Sequence, residues 1–428
     1  MTSSCLRSFS RIIPLPGSRP KVNNMKLMNK ISVFPALLLA LLPLLLLTGC
    51  WDNVELNRRA IVSGVAIDRG PTEAEKYRLS FQVIVAEEIS GENARGISPV
   101  AMYTGTGRTM FEALADASRQ TARFLSLGHV RVLVVSEELA REGIKDILDV
   151  LERESDTRLT SLIFIAKGQP AHELMSTMTV FSKIPVNDLV EKLETTSKQF
   201  GYNFRMEVDD VIRGVQLTGG GPIINGVFTS GSREGADTND NLKSISPKNI
   251  LRISGLAAFK DDKMKGWLDG DAALGTVLLH NKIKEFPVVI KDKEGGYLSF
   301  NVYQSQVTLK AAVTDPEHPV IIVKIRQQAA IKESANSLDL TSPEVLEGLS
   351  EQLTGETIKQ IKAAIASARE FKSDYLGFGQ VLQRTHPRGW KQVKDHWEDI
   401  FAACEVQFDA DAVIRHTDMR SNSFQINK

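Results

Sequence analysis

The apolar positions of this chain change their spacing several times, and each change marks a predicted element. Ala60 to Asp68 and Tyr77 to Ala86 are dense in β-branched and apolar residues and flank the turn sequence Arg69-Gly70-Pro71, which predicts two neighbouring strands. Thr109 to Leu125 carries Phe111, Leu114, Ala115, Ala122 and Leu125, a helical stripe behind a Gly-rich stretch. A strand over Val130 to Val135, a helix from Ile144 to Glu154, a strand over Leu162 to Ala166 and a helix over Val186 to Phe200 follow. Strands alternating with helices predict a sheet covered by helices.

Thr229 to Asn249 reads TSGSREGADTNDNLKSISPKN, almost free of apolar residues, and predicts an exposed loop or interdomain linker over 230–249. Leu251 to Lys260 and Met264 to Leu268, around Asp261-Asp262, then predict a hairpin. Strands are expected at Phe286 to Ile290, Leu298 to Tyr303, Val307 to Val313 and Val320 to Arg326. The apolar parity flips between Leu298, Phe300, Val302 and Val307, Leu309, Ala311, Val313. One straight strand would swap its faces there, so a bulge, bend or turn is expected near Gln304 to Gln306. Ser342-Pro343 opens a helix whose stripe runs through Leu346, Leu349, Leu353, Ile358, Ile361, Ile365 and Ala368 to Lys372, with Gly348 and Gly355 as points where it could bend. Trp390 and Trp397 fall seven apart on a further helix, ahead of strands near Val406 and Val413. The expected class is α+β and multi-domain: mixed sheets with flanking helices over 50–229, and a curved antiparallel sheet packed by a long helix over 250–428.

Ordinary composition, 42% hydrophobic and 24% charged, fits this picture without sharpening it. The amino-terminal segment does sharpen it. Lys26 and Lys30 precede Ile31 to Leu47, an uncharged run of 17 residues that includes Pro35 and Pro43. Such a run is at the short end of what crosses ~30 Å of hydrocarbon. Leu47-Thr48-Gly49-Cys50 then looks like the lipobox of bacterial lipoproteins, so 1–49 reads as a signal peptide cleaved between Gly49 and Cys50, with S-diacylglycerol and N-acyl groups on Cys50. Acylation of that order anchors a chain stably without a membrane-spanning helix. Met1 to Asn24 lacks an apolar core, and a start at Met25 gives a signal of more usual size.

All charges before Cys50 are basic, and without those six residues the chain has 46 basic against 52 acidic residues, a formal charge of −6. That balance argues against nucleic acid as a partner. Of Cys5, Cys50 and Cys404, only Cys404 would stay free, a small core residue at the head of a strand.

No residue of the sequence reads as catalytic, cofactor-binding or metal-ligating. There is no His-Glu-x-x-His, no Gly-x-Ser-x-Gly, no phosphate loop and no Cys-x-x-Cys. His386 and His396 are the nearest histidine pair and lack adjacent acidic or sulfur ligands. Gly219-Gly220-Gly221-Pro222 and Gly105-Thr106-Gly107 could cradle an anion, although loop glycines usually only punctuate a turn. Trp267, Phe378, Trp390 and Trp397 are candidates for core packing or for a partner interface.

Gly49-Cys50-Trp51-Asp52-Asn53-Val54-Glu55-Leu56, with Ala60-Ile61-Val62 and Gly64-Val65-Ala66-Ile67-Asp68, resembles the mature start of the Ger(x)C family, the C-subunit lipoproteins of nutrient germinant receptors. Leu127-Gly128-His129-Val130, Glu137 to Ile144, Gly255 to Lys260, Gly266-Trp267-Leu268 and Leu376-Gly377-Phe378-Gly379 with Trp390 and Trp397 extend the likeness in order. Asp374-Tyr375 and the ending at His416-Thr417-Asp418 depart from the family pattern. The resemblance implies a three-domain α+β body without enzymatic activity, on the outer face of the inner spore membrane. It also implies membrane lipid and two integral membrane subunits, one permease-like, as partners, and a scaffold or signal-coupling role in spore germination. Two other classes make different demands on the sequence. A lipid-anchored solute-binding protein of a transporter would have two similar lobes, and a wall hydrolase would need a carboxylate pair or metal triad.

Overall fold

The computed structural model describes residues 55–416, apart from 91–95, 155, 200, 232–234, 239–240, 244, 284, 292–294, 335–339 and 341. The expected signal segment, Met25, Cys50 and the Gly49–Cys50 junction lie outside the described residues.

β1 (Arg59–Thr72) and β2 (Glu75–Ile84) form the antiparallel pair that their apolar content predicts, but the turn falls at Glu73-Ala74: Arg69-Gly70-Pro71, expected to be the turn, lies within β1 where the pairing shifts register. α1 (Ala86–Ser90) leads to β3 (Val100–Gly107), which pairs with the far side of β2. α2 (Met110–Ser118) packs back on β2 and β3, and β4 (Phe124–Ser126) runs parallel to the first residues of β1. β5 (Val132–Ser136), α3 (Glu137–Glu142), α4 (Lys145–Arg153), β6 (Leu162–Ala166), α5 (Ala171–Ser176), α6 (Pro185–Gln199), α7 (Val208–Val215) and β7 (Ile223–Ser230) follow.

The described residues place β1, β5, β6 and β7 parallel in the middle of a nine-stranded sheet of order β3-β2-β1-β5-β6-β7, continued by two further strands. Every residue of β5 and β6 is buried, as unbroken apolar strands covered on both faces should be. Leu133, Val135, Ile163 and Ile165 face the main core, and Val132, Val134, Leu162 and Phe164 face a second apolar layer under α5 and α6.

The helix expected over Thr109 to Leu125 stops at Ser118. Its buried face is Met110, Ala113 and Ala117, whereas Phe111 is 74% exposed. The large apolar residues pointed to the wrong face because the true contact is made by small ones: a Cβ on Gly105 would lie 2.2 Å from the Ala113 carbonyl oxygen, so helix backbone sits directly on strand backbone. Leu125 belongs instead to β4.

The two further strands are β8 (Ile250–Lys260) and β9 (Lys263–Leu268), the predicted hairpin, with Asp261 at φ 52° in its turn. β8 pairs antiparallel with β7. The polar stretch 230–249 therefore joins adjacent strands of one sheet. It is pinned by Asn241, 5% exposed, whose Nδ2 donates to the carbonyls of Met178 (3.1 Å) and Asn249 (3.0 Å) while its Oδ1 accepts from Asn249 N–H (3.1 Å).

α8 (Gly270–Leu279) was not anticipated, because its residues from Ala273 to Leu279 are all buried and no polar face betrays a helical period. The second sheet has the order β10 (Phe286–Lys291), β11 (Tyr297–Ala312), β12 (Val320–Ser334), β13 (Glu405–His416). β11 is continuous and shifts register between Val302 and Gln304, where the parity flip asked for a bulge. β13 is one strand through both Val406 and Val413. It lies parallel to β12, so the sheet expected to be antiparallel has one parallel pair: the helices between the two strands carry the chain back to the starting end.

Those helices begin with α9 (Pro343–Glu370), unbroken over ~42 Å. A Cβ at Gly348 or Gly355 would meet nothing, so both glycines lie on its open side and do not interrupt it. α10 (Phe378–Thr385), α11 (Pro387–Val393) and α12 (Trp397–Ala403) follow it and lead into β13. Trp390 and Trp397 thus stand on separate short helices, not on one: Pro387 opens α11 and a 3-10 turn at Lys394–His396 divides it from α12.

Candidate functional site

The segment after α9 turns sharply at Lys372 (φ 50°) and delivers Asp374 into the interior. Its backbone N–H donates to the Gly219 carbonyl at 2.9 Å. Its carboxylate caps α10, with Oδ1 accepting from Phe378 N–H at 3.0 Å and Oδ2 from Gly379 N–H at 2.6 Å. Oδ2 also accepts from the indole Nε1 of Trp397 at 2.9 Å. Burial pushes the Asp374 carboxyl up to about 6, against the pull of these donors, which favour the charged form. Gly377, at φ 82°, supplies the left-handed turn that lets the chain reverse onto the cap.

Around this carboxylate the candidate aromatics collect. Phe378 and Trp397 are fully buried and Trp390 is 7% exposed. The Trp390 and Trp397 rings meet edge to face at 5.3 Å, and Phe378 meets Phe401 at 5.7 Å. Gly379 makes room for both indoles, since a Cβ there would stand 2.8 Å from Trp397 Nε1 and 2.9 Å from Trp390 Cη2. These rings are interior packing and offer no free face to a partner. Trp267 lies elsewhere, on β9. It is half-buried against Gly226, with the Lys167 ammonium 4.9 Å from its ring centroid.

Gly219-Gly220-Gly221 lines this joint. Carbonyl oxygens of Gly219 and Gly220 accept from Asp374 and Asp261 N–H, and Cβ atoms at Gly220 and Gly221 would press on the carbonyls of Asp374 (2.8 Å) and Phe259 (2.4 Å). The three glycines therefore serve the approach of two backbones. Ser373 Oγ donates to Phe259 O at 2.7 Å, and Lys260 pairs with Glu398. The carboxyl-terminal helices are in this way fastened to the end of the first sheet.

Beside the joint a cleft of about 260 Å³ is lined by residues including Phe204, Arg213, His280, Tyr375 and Gln380. His280 stacks on Phe204, bonds the Tyr375 carbonyl through Nε2 at 2.8 Å, and is held below the usual histidine pKa by burial. The paired histidines have local duties: His386 Nδ1 accepts from Gly389 N–H, and His396 bonds Glu317. Among the described residues no three His, Cys, Asp or Glu side chains group as a metal site.

The sequence singles out Asp374 only as the carboxylate of the dipeptide Asp374-Tyr375, whose Tyr375 departs from the family pattern, and does not disclose its role. The usable signal was an aspartate ahead of a Gly-Phe-Gly helix start. Asp68 is a parallel case: its buried carboxylate accepts from the backbone N–H groups of Ala171 (2.6 Å) and His172 (2.9 Å), tying β1 to α5.

Two families of known proteins match: the Spore germination protein N-terminal domain over residues 52–228, and Spore germination B3/GerAC like, C-terminal, over 254–418. Spore germination protein KC of Bacillus subtilis (strain 168) is 31% identical over 392 residues, 90% of this chain and 96% of that protein. Spore germination protein B3 of the same organism is 24% identical over 395 residues, with the same coverage. Spore germination protein GerQC of Bacillus cereus is 25% identical over 380 residues, 86% of this chain and 94% of that protein. The crystal structure of the GerBC protein superposes with a TM-score of 0.53 at 18% identity, covering 85% of this chain and 99% of that one, a likeness of fold.

Proposed function

Because the chain belongs to the GerAC-like spore germination family, we propose that it is the lipid-anchored C subunit of a nutrient germinant receptor. The observation that carries the anchor is positional: the amino-terminal family match begins at residue 52, directly behind Leu47-Thr48-Gly49-Cys50. Diacylglycerol on Cys50 would hold the body on the outer face of the inner spore membrane, beside two integral membrane subunits, one of them permease-like. Among the described residues no helix is long and apolar enough to cross a membrane.

The role we assign is that of a scaffold or signal-coupling subunit, with no catalytic step. Its support is the way the terminal motif is used: the polar atoms of Asp374 and Trp397 bind each other and neighbouring backbone, which favours mechanical connection over turnover. Germination of spores lacking the gene, scored nutrient by nutrient and complemented by wild type or Cys50→Ala, tests the reading. Loss of response to particular nutrients, restored by wild type and poorly by Cys50→Ala, is the expected result. Unchanged germination with impaired solute uptake would overturn it.

A further inference from the structure

Parallel β1, β5, β6 and β7 start along one edge of the first sheet. At the corner where β1 starts, several segments leave large apolar side chains in solvent. Phe124, paired across from Arg59, is 64% exposed. Ile97, in the turn that leads from α1 into β3, is 57% exposed. Val180 and Phe181, at 55% and 92%, belong to the 178–184 turn, which Lys183 Nζ ties to the carbonyls of Glu88 (3.2 Å) and Ile89 (3.4 Å).

The charges on the same segments are mainly positive. Arg58, Arg123, Arg131 and Lys183 are exposed, against exposed Glu55 and Glu87, while Asp116 is paired with Arg119. Arg131 bonds Asn187 and holds the start of β5 to α6. The corner is thus apolar and basic on a chain whose residues from Cys50 onward are net acidic.

We propose that this corner docks onto the membrane surface itself, with Phe124, Ile97 and Phe181 entering the headgroup region and Arg58, Arg123, Arg131 and Lys183 meeting anionic lipid phosphates. The inference rests on the lipid anchor at Cys50 proposed above. Nine backbone steps, across eight intervening residues, separate Cys50 from Arg59. Fully extended they span at most ~30 Å, so an acylated Cys50 keeps the start of β1 within that distance of the bilayer. Large apolar side chains ringed by Arg and Lys are the composition that binds in the interface plane, and basic residues close to an anionic leaflet are drawn to it. Trp51, next to Cys50 in the sequence, is of the residue type that favours headgroup depth.

The test uses the full acylated chain carrying Phe124→Trp, reconstituted in phosphatidylcholine vesicles with or without phosphatidylglycerol, some of the lipid brominated. Relative to the parent chain, the added tryptophan should lose emission to the brominated lipid, more so with phosphatidylglycerol, and less so when Arg58→Gln and Arg123→Gln are added. Equal accessibility of that tryptophan to aqueous iodide in vesicles and in detergent would overturn the docking. So would shielding that arises only after the two integral membrane subunits are added, which would assign the corner to a protein partner. Detergent-phase partitioning and the mass of the Cys50 peptide are read on the same sample. A chain without acyl groups refutes the anchor, whereas an acylated chain with an unshielded corner refutes only the docking.

Discussion

Trp397 gives its indole N–H to Asp374 Oδ2 at 2.9 Å across 23 positions of sequence, and that bond closes α12 over the capped start of α10. Trp397→Phe keeps most of the ring and deletes the donor. A hydrogen bond to a carboxylate contributes ~1.5–3 kcal/mol, so urea unfolding should show a loss of that order with an unchanged slope. A change below ~0.5 kcal/mol would mean that water replaces the indole.

The same carboxyl gives the fold a pH dependence of unusual sign. Its value in the native state, about 6, lies above the ordinary 3.8. The native state therefore binds more protons than the unfolded chain between these values. The resulting stabilisation is fully present below about pH 3.8 and is lost as pH rises through about 6. At ~1.4 kcal/mol per pKa unit the span is on the order of 3 kcal/mol. Stability of wild type relative to Asp374→Asn should fall by that amount from pH 4 to pH 7, and a constant difference would remove Asp374 from the titration.

Two glycines should respond oppositely to alanine. At Gly379 the new methyl group collides with both indoles, and overpacking of this kind costs ~1–3 kcal/mol. At Gly355 it meets open space on the solvent side of α9, where replacing glycine gains ~0.5–1 kcal/mol. Thermal melts of the two variants should move apart around wild type.

Asn241→Ala should release the 231–249 connection. The variant removes the amide's three hydrogen bonds to Met178 and Asn249 in a buried place, at ~0.5–1.5 kcal/mol for each bond lost. Limited proteolysis should cut this loop faster in the variant while the cores of both sheets persist.

Cys404 is 5% exposed, its Sγ contacts the Phe401 carbonyl, and burial raises its thiol pKa. It should resist an aromatic disulfide reagent at pH 8 in the native state and react fully in denaturant.

The elements legible in the sequence were those whose burial follows a simple period. β5 and β6 show as unbroken apolar runs, the bulge in β11 as a parity flip, and α9 as a long stripe opened by Ser342-Pro343. α8 escaped because it is buried all round, and α2 was placed but drawn too long and turned to the wrong face because it buries alanines, so neither presents a contrast of large apolar and polar positions. The joint escaped for another reason. Asp374, Gly219 and Trp397 meet only through tertiary folding, and each alone looks like a loop acid, a loop glycine or a core ring. The aromatics were found while their partner was not, because ring size is visible in one residue and a hydrogen-bond hub is not.

The pairing of β8 with β7 also sets a timetable. A chain synthesised from its amino end presents β7 with an open edge until Leu268, the last residue of the β8–β9 hairpin, has appeared. At ~5–20 residues per second that interval lasts on the order of seconds. Unpaired edges invite pairing with other chains, and the stretch that emerges during the wait is the polar 231–249, which gives a neighbouring chain little to hold. The composition that marks this stretch as a loop in the finished protein also protects the unfinished one.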